Sequence, residues 1–133
     1  ANLYKIPDIN SLSGINEAFT KMMEKHVNQG TGNRLLIFDL LTDILTLKGV
    51  KAGNWFSDFV ARRKAEGFTV LAFLNPLVAS SEEIQILSDL FDGVIEIYEK
   101  EIKEMPRRFL VIKKMYGQRP SKSELMLDKD KLF

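Results

Sequence analysis

RLLIFDLLTDIL, the stretch from Arg34 to Leu45, decides the fold of this chain. It begins with a run of apolar residues, Leu35 to Phe38, and Asp39 follows them directly. A continuous apolar run of this length is typical of a parallel strand that is buried on both faces. Ligands of open α/β sheets bind beyond the carboxyl ends of the strands. The stretch therefore predicts a carboxylate, that of Asp39, at a ligand-binding edge.

A second apolar strand, Phe68 to Leu74, is rich in β-forming residues, and Asn75-Pro76 closes it. Helices are predicted around both strands from apolar residues that repeat every three or four positions. They begin near Ser13, run from about Trp55 to Gly67, and start at Ser80, which forms a capping box with Glu83. The leucine-rich passage before Val50 is compatible with a helical turn or a loop.

The apolar period changes to two in the last third of the chain. Val94 to Tyr98 and Arg108 to Met115 predict a hairpin with a polar turn at Lys103 to Pro106, and Glu124 to Lys129 predicts a last strand. The order of elements predicts one α/β domain over residues 1–133. Its expected architecture is a mainly parallel sheet with flanking helices and an antiparallel C-terminal hairpin.

Composition sets the broad class of the protein. The 133 residues are 45% hydrophobic and 28% charged, which is typical of a globular domain. A formal net charge of +1 argues against a strong field for nucleic acid or membrane over the whole molecule. The chain has no cysteine, and no apolar run approaches the ~18 residues of a membrane span. We expect a cytoplasmic protein with no membrane partner.

Several segments together resemble the C-terminal half of a KaiC-like or RecA-like ATPase domain. The segments are IPDINSLSGINEAF, RLLIFDLL, FTVLAFLN, LFDGVIEIYE and RRFLVIKKMYG, and they extend over most of the chain. The resemblance implies a P-loop NTPase fold whose members often form rings with nucleotide at the subunit interfaces. The expected partners are therefore other protein subunits, either copies of this chain or RecA-like neighbours.

The resemblance also implies roles for individual residues. Asp39 corresponds to the Walker B aspartate, which holds magnesium, and Asn75 to a polar residue that senses phosphate. Lys114 and Tyr116 fall in a hairpin that reaches toward a neighbour's nucleotide. The implied cofactor-binding residues are thus Asp39, Asn75, Lys114 and Tyr116, with Asp39 as the metal ligand.

Departures from the family pattern argue against turnover by this chain alone. No GxxxxGK[ST] phosphate loop occurs in the sequence, and GQRPSKS, at Gly117 to Ser123, lacks the required glycines. Tyr116 stands where the family places an arginine, and tyrosine has no cation to offer to a phosphate. We therefore expect no cofactor for this chain alone, and ATP with magnesium only if an upstream phosphate loop exists.

The candidate residues also have structural interpretations. Asp39 is as consistent with a cap on the following turn as with a remnant metal site, and an Asn-Pro turn explains Asn75 equally well. Trp55 and its phenylalanine neighbours are typical of a core. These alternatives stay open at the level of the sequence.

Charge is unevenly distributed along the second half of the chain. Residues 82–104 are predominantly acidic, whereas Arg107 to Lys122 contains no acidic residue and has Phe109 and Tyr116 interleaved. Adjacent acidic and basic blocks would suit head-to-tail self-association. Basic strands with aromatic residues can also follow a nucleic-acid backbone, although a solvated hairpin face explains them too. Nucleic-acid binding is expected to be weak.

Three functions follow as hypotheses. The first is a degenerate or partial KaiC/RecA-like module that acts in protein assembly or regulation without hydrolysing ATP by itself. The second is the C-terminal part of a longer ATP-binding KaiC-like ATPase, and the third is a nucleic-acid-binding accessory protein. In the resembling ATPases the phosphate-loop strand lies between the strands matching Phe68 to Leu74 and Val94 to Tyr98. We expect these strands to have open edges and the chain not to be a stable free monomer in that arrangement.

Overall fold

The computed structural model describes residues 11–26, 32–119 and 123–127. The chain forms two compact units, residues 1–87 and 88–133. The first contains α1 (Leu12–His26), β1 (Arg34–Phe38), α2 (Leu41–Lys48), α3 (Val50–Ala65), β2 (Phe68–Ala72) and a 3-10 helix (Pro76–Val78). Helix α4 (Ser81–Asp89) spans the boundary, and the second unit contains β3 (Gly93–Ile102), β4 (Met105–Met115) and β5 (Leu125–Leu127).

An aromatic core holds the first unit together. β1 and β2 pair in parallel, from Arg34 opposite Phe68 to Phe38 opposite Ala72. The Phe38 ring lies 5.2 Å from that of Phe56 and 5.4 Å from that of Phe59, both on α3. Phe56 is completely buried. Helix α3 therefore covers one face of the parallel pair, as the sequence predicts for Trp55 and its neighbours.

Local sequence signals fix the helix boundaries. Gly49, with φ of 57°, separates α2 from α3, and Gly67, with φ of 85°, follows α3 in a backbone conformation that side chains disfavour. The leucine-rich passage is thus helical. The capping box is confirmed, since Ser80 N donates to Glu83 Oε2 (2.8 Å) and Glu83 N donates to Ser80 Oγ (3.1 Å).

The second unit is an antiparallel sheet in the order β3-β4-β5. β3 and β4 pair from Gly93 opposite Met115 to Ile102 opposite Met105, so the hairpin is longer than the sequence predicts. Lys103 and Glu104 form its turn with φ of 51° and 63°. Positive φ at both central residues matches the twist of two strands, which explains the extended pairing. β5 confirms the last strand for Leu125–Leu127, and residues 128 and 129 lie outside the described residues.

The expectation of a mainly parallel sheet is wrong. The structure has a two-stranded parallel sheet and a separate, larger antiparallel sheet. A two-residue turn allows only antiparallel pairing of β3 with β4, whereas helices connect β1 to β2 and permit the parallel arrangement. Within the described residues, β2 pairs with β1 alone and β3 with β4 alone.

In the part of the chain that the structure describes, no helix has the length and apolar character needed to cross a membrane.

Candidate functional site

Asp39 and Asn75 lie at the same edge of the parallel sheet. Asp39 directly follows β1, and Asn75 comes three residues after the end of β2. Phe73 N donates to Phe38 O at 3.3 Å, which carries the pairing beyond the last strand residues. Since both strands run in the same direction, their carboxyl ends bring the two polar residues to one edge.

Thr42 connects this edge to the first turn of α2. Asn75 N donates to Thr42 Oγ1 at 3.0 Å. The Asn75 side-chain oxygen accepts from Leu77 N at 3.1 Å and caps the 3-10 helix, which is the turn interpretation of this residue. Sequence reasoning missed Thr42. The sequence signal that could have identified Thr42 is a hydroxyl residue three positions after the aspartate at the end of a strand.

Asp39 contributes an exposed carboxylate to the edge, and Asp43 adds a second carboxylate in the first turn of α2. Within residues 11–26, 32–119 and 123–127, no three histidine, aspartate, glutamate or cysteine side chains come together as a metal site. Magnesium is often held by one or two carboxylates together with substrate phosphates, so metal binding at Asp39 does not require such a cluster. It stays a prediction.

Lys114 and Tyr116 belong to the second unit. Lys114 Nζ donates to Ser88 O at 3.3 Å, and Tyr116 N donates to Asp92 O at 2.7 Å. The Tyr116 side chain is 83% exposed. Both residues thus stand at the base of the β3–β4 hairpin, and their proposed role toward a neighbour's nucleotide stays a prediction.

A polar cluster that sequence reasoning missed joins β5 to the hairpin. Lys100 Nζ donates to Glu124 Oε2 at 2.6 Å, and Tyr98 OH donates to Glu124 Oε1. Tyr98 stacks on Phe109 with ring centroids 5.9 Å apart, and Lys100 Nζ lies 4.5 Å from the centre of the same ring. Only the pairing of distant strands brings these residues together, so no local sequence signal announces them.

Hydrogen bonding shifts the pKa values within this cluster. The bond to the Glu124 carboxylate, reinforced by desolvation, raises the pKa of Tyr98 to about 12, because it stabilises the protonated phenol. Hydrogen bonds from Lys100 first and Tyr98 second lower the pKa of Glu124. The Tyr98 phenol therefore stays protonated at neutral pH and shares the Glu124 carboxylate with Lys100 Nζ. We call Tyr98, Lys100 and Glu124 the clamp, because they join β3 to the segment that leads into β5.

Part of the basic charge on the hairpin is balanced within the hairpin itself. Lys113 Nζ lies 3.4 Å from Glu96 Oε2, and Arg108 stands opposite Glu99 across the ladder. Arg107 stands opposite Lys100, which the Glu124 carboxylate accompanies. The hairpin is thus a surface of mixed charge. Its acidic residues interrupt the basic charge that a nucleic-acid backbone would follow.

One face of the parallel sheet is exposed and apolar. Leu35 and Ile37 on β1 are 61% and 58% exposed, and Leu71 and Phe73 on the neighbouring segment are 44% and 51% exposed. Thr69, paired with Leu35, is also exposed. We call Leu35, Ile37, Thr69, Leu71 and Phe73 the open face. The expectation that β1 is buried on both faces is therefore wrong for the described structure, since α3 covers the opposite face only.

The fold is similar to that of a known structure. A KaiC-like protein from the hyperthermophilic archaeon Pyrococcus horikoshii OT3 superposes with a TM-score of 0.64 at 16% sequence identity. The match covers 92% of this chain and 52% of that protein, so the chain spans about half the length of its structural neighbour. At this identity the likeness concerns the fold alone. Neither a protein-family model nor a curated protein sequence matches the chain.

Proposed function

We propose that this chain is a KaiC/RecA-like module that acts in protein assembly or regulation and does not hydrolyse ATP by itself. The observation that carries the proposal is the carboxyl edge of β1 and β2. There Asn75 N donates to Thr42 Oγ1 and Asp39 directly follows β1, while the sequence holds no phosphate loop to go with them. Without backbone N–H groups and a lysine around the phosphates, such an edge cannot orient a triphosphate for attack.

Titration calorimetry with ATP and magnesium tests this proposal. We expect binding no tighter than about millimolar, because the phosphate loop with its lysine and metal-ligating hydroxyl is missing. Asp43→Ala is the matched control for Asp39→Ala, since both remove a carboxylate near the start of α2. A micromolar dissociation constant that Asp39→Ala abolishes and Asp43→Ala retains would show a working nucleotide site and overturn the proposal.

The second candidate is the C-terminal part of a longer ATP-binding KaiC-like ATPase. It is favoured by the length relation, since the chain matches 52% of its KaiC-like structural neighbour. In that case an upstream segment would bring the phosphate loop, and ATP and magnesium would be its cofactors. The intact mass of the natural protein, or the reading frame before Ala1, separates the two candidates by the presence of a GxxxxGK[ST] segment.

The partners we propose are protein subunits, either copies of this chain or RecA-like neighbours, in the cytoplasm. Sedimentation velocity tests self-association directly. Nucleic-acid binding is the weakest alternative, given the mixed charge of the hairpin. Tight binding of single-stranded DNA at about 0.15 M salt, abolished by charge reversal at Lys113 and Lys114, would favour the accessory function instead.

A further inference from the structure

β5 is attached to the second unit by a short ladder. It pairs with β4 through three residues, from Leu125 opposite Leu110 to Leu127 opposite Arg108, whereas β3 and β4 pair through ten. Leu125 and Met126 are 61% and 48% exposed, and no residue of β5 is buried. Elements with little apolar burial open locally at a fraction of the free energy of global unfolding. We therefore expect β5 to leave and rejoin β4 while the β3–β4 hairpin stays formed.

The clamp makes the attachment of β5 specific. Tyr98 and Lys100 lie on β3, and both donate to the carboxylate of Glu124, the residue directly before β5. The side chains of Lys100 and Glu124 are 45% and 39% exposed, so water screens their attraction and the pair adds little stability. The clamp does fix the register, because a shift of β5 by one residue would turn Glu124 to the opposite face of the sheet. The hairpin thus accepts one sequence at one position.

Release of β5 would open the outer edge of β4 from Arg108 to Leu110, which we call the β4 edge. Unpaired N–H and C=O groups along a strand edge pair readily with a strand from another chain. Phe109 stands at the centre of the β4 edge, opposite Met126, so the contact has an apolar middle. The structure itself shows which strand fits, because the β4 edge carries Leu125–Leu127 of the same chain. A second copy presents the identical segment.

We propose that the β4 edge, together with Tyr98 and Lys100, is a strand-docking site through which two copies of the chain join, with β5 of one copy on β4 of the other. The proposal rests on the assembly function proposed above and names the segment that copies exchange. A strand added to a sheet edge gains affinity from main-chain hydrogen bonds and specificity from its side chains. The exchanged strand makes the same contacts as in the single chain, so exchange costs mainly the entropy of association and is favoured by high protein concentration.

Single cysteines in separate copies test the exchange. The chain has no cysteine of its own, so a disulfide reports the introduced pair alone. An acceptor copy carries Leu110→Cys and a donor copy carries Leu125→Cys, since these positions lie opposite each other on β4 and β5. Residues directly opposite on antiparallel strands have Cα atoms about 4.5–5.5 Å apart, within reach of a disulfide.

Mass spectrometry after mild oxidation measures the yield of acceptor–donor dimers. Leu77→Cys is the control donor, because Leu77 is 91% exposed and lies outside the second unit. Docking raises the effective concentration of the two thiols, so we expect a yield at least about five times that of the control.

Glu124→Lys distinguishes exchange from chance contact. It places a second ammonium group beside Lys100, so a strand that carries it is held less well by any copy's hairpin. In the acceptor it releases that copy's own β5 and opens the β4 edge, so the yield should rise at least about threefold. In the donor it eases release and weakens docking alike, so the yield should stay close to that of the unchanged pair. Both mixtures carry the same total charge, and circular dichroism establishes that each variant is folded.

Two results would overturn the proposal: a yield no greater than that of the Leu77→Cys control, or an equal rise when Glu124→Lys is placed in either copy. A rise with the altered acceptor alone supports it. Failure here is distinguishable from failure of the proposed function, whose test measures ATP binding by chains without cysteine. Self-association in sedimentation velocity without the acceptor–donor disulfide would remove strand exchange and leave the assembly function standing.

Discussion

The two units of the chain are stabilised in different ways. In the first, Phe38, Phe56 and Phe59 form a buried aromatic core, and Ile44 and Val60 are almost inaccessible to water. In the second, only Phe109 is buried among the described strand residues, and side-chain pairs across the ladder hold the strands. Burial therefore dominates the stability of one unit, and local pairing that of the other.

Both units also keep apolar residues in water. The first exposes the open face, and the second exposes Ile95, Ile97 and Leu125, each more than half accessible. Scattered exposure of single apolar residues is ordinary. Here the exposed apolar residues stand two positions apart on one strand, Leu35 and Ile37 on β1 and Ile95 and Ile97 on β3. The first unit thus combines a filled core with an uncovered sheet face.

The largest effect should come from the core of the first unit. Phe56→Ala removes a fully buried ring next to Phe38 and leaves a cavity, so we expect a loss of about 3–5 kcal/mol in the free energy of unfolding. Leu77→Ala, at a residue that is 91% exposed, should change it by no more than about 0.5 kcal/mol. Urea denaturation measures both. Equal effects of the two variants would contradict a stability dominated by burial.

Arg63 is a charged residue buried in the same core, and its substitution measures how much the cation contributes to the free energy of unfolding. Its guanidinium lies 4.2 Å from the Phe19 ring and 4.8 Å from the Phe59 ring, and Nη2 donates to Glu66 Oε1 at 3.0 Å. Arg63→Met keeps much of the bulk and removes the cation, so we expect a loss of about 2 kcal/mol. The control is Arg62→Met on the exposed side of α3, with an effect below about 0.5 kcal/mol. A loss for Arg63→Met as small as the control's would show that packing alone holds the helix.

Thr42→Val tests the edge that carries the candidate site. The variant removes the hydroxyl that accepts from Asn75 N, and we expect a loss of about 1 kcal/mol with faster hydrogen exchange at the Asn75 amide. Thr46→Val removes a hydroxyl that bonds within α2 only and should leave that amide unchanged. If Asn75 exchanges at the same rate in both variants, its contact with α2 does not hold the edge together.

The smallest effect concerns the clamp of the second unit at high pH. The Tyr98 pKa is raised to about 12, above its ordinary 10.0, so the stabilisation is complete below pH about 10 and is lost as pH rises through about 12. NMR titration of the Tyr98 ring should give the raised midpoint. Glu124→Gln should move it toward the ordinary value, whereas Glu96→Gln, at a minor contributor, should move it little. An unchanged midpoint in Glu124→Gln would exclude the Glu124 bond as the cause.

Local patterns in the sequence were sufficient for most elements. The apolar run before Asp39, the capping box of Ser80 with Glu83, and the two-residue period of the hairpin each predict a structure that forms within a short segment. The strand-end positions of Asp39 and Asn75 were predictable for the same reason, because parallel strands place their carboxyl ends at one edge. Thr42 was missed, since its contact with Asn75 depends on how α2 follows β1.

Those local patterns did not predict the order of the strands in the sheets or which strands pair. An apolar run predicts a strand but not the strand with which it pairs. The sequence predicts a single, mainly parallel sheet, whereas the structure has a parallel pair and a separate antiparallel sheet. The open face was not predictable for the same reason. The sequence indicates that β1 carries apolar side chains on both faces, but not whether another segment packs on each of them. Pairing and burial are interactions between distant segments, and in this chain they decide the Tyr98–Glu124–Lys100 clamp, the uncovered sheet and the meeting of Thr42 with Asn75.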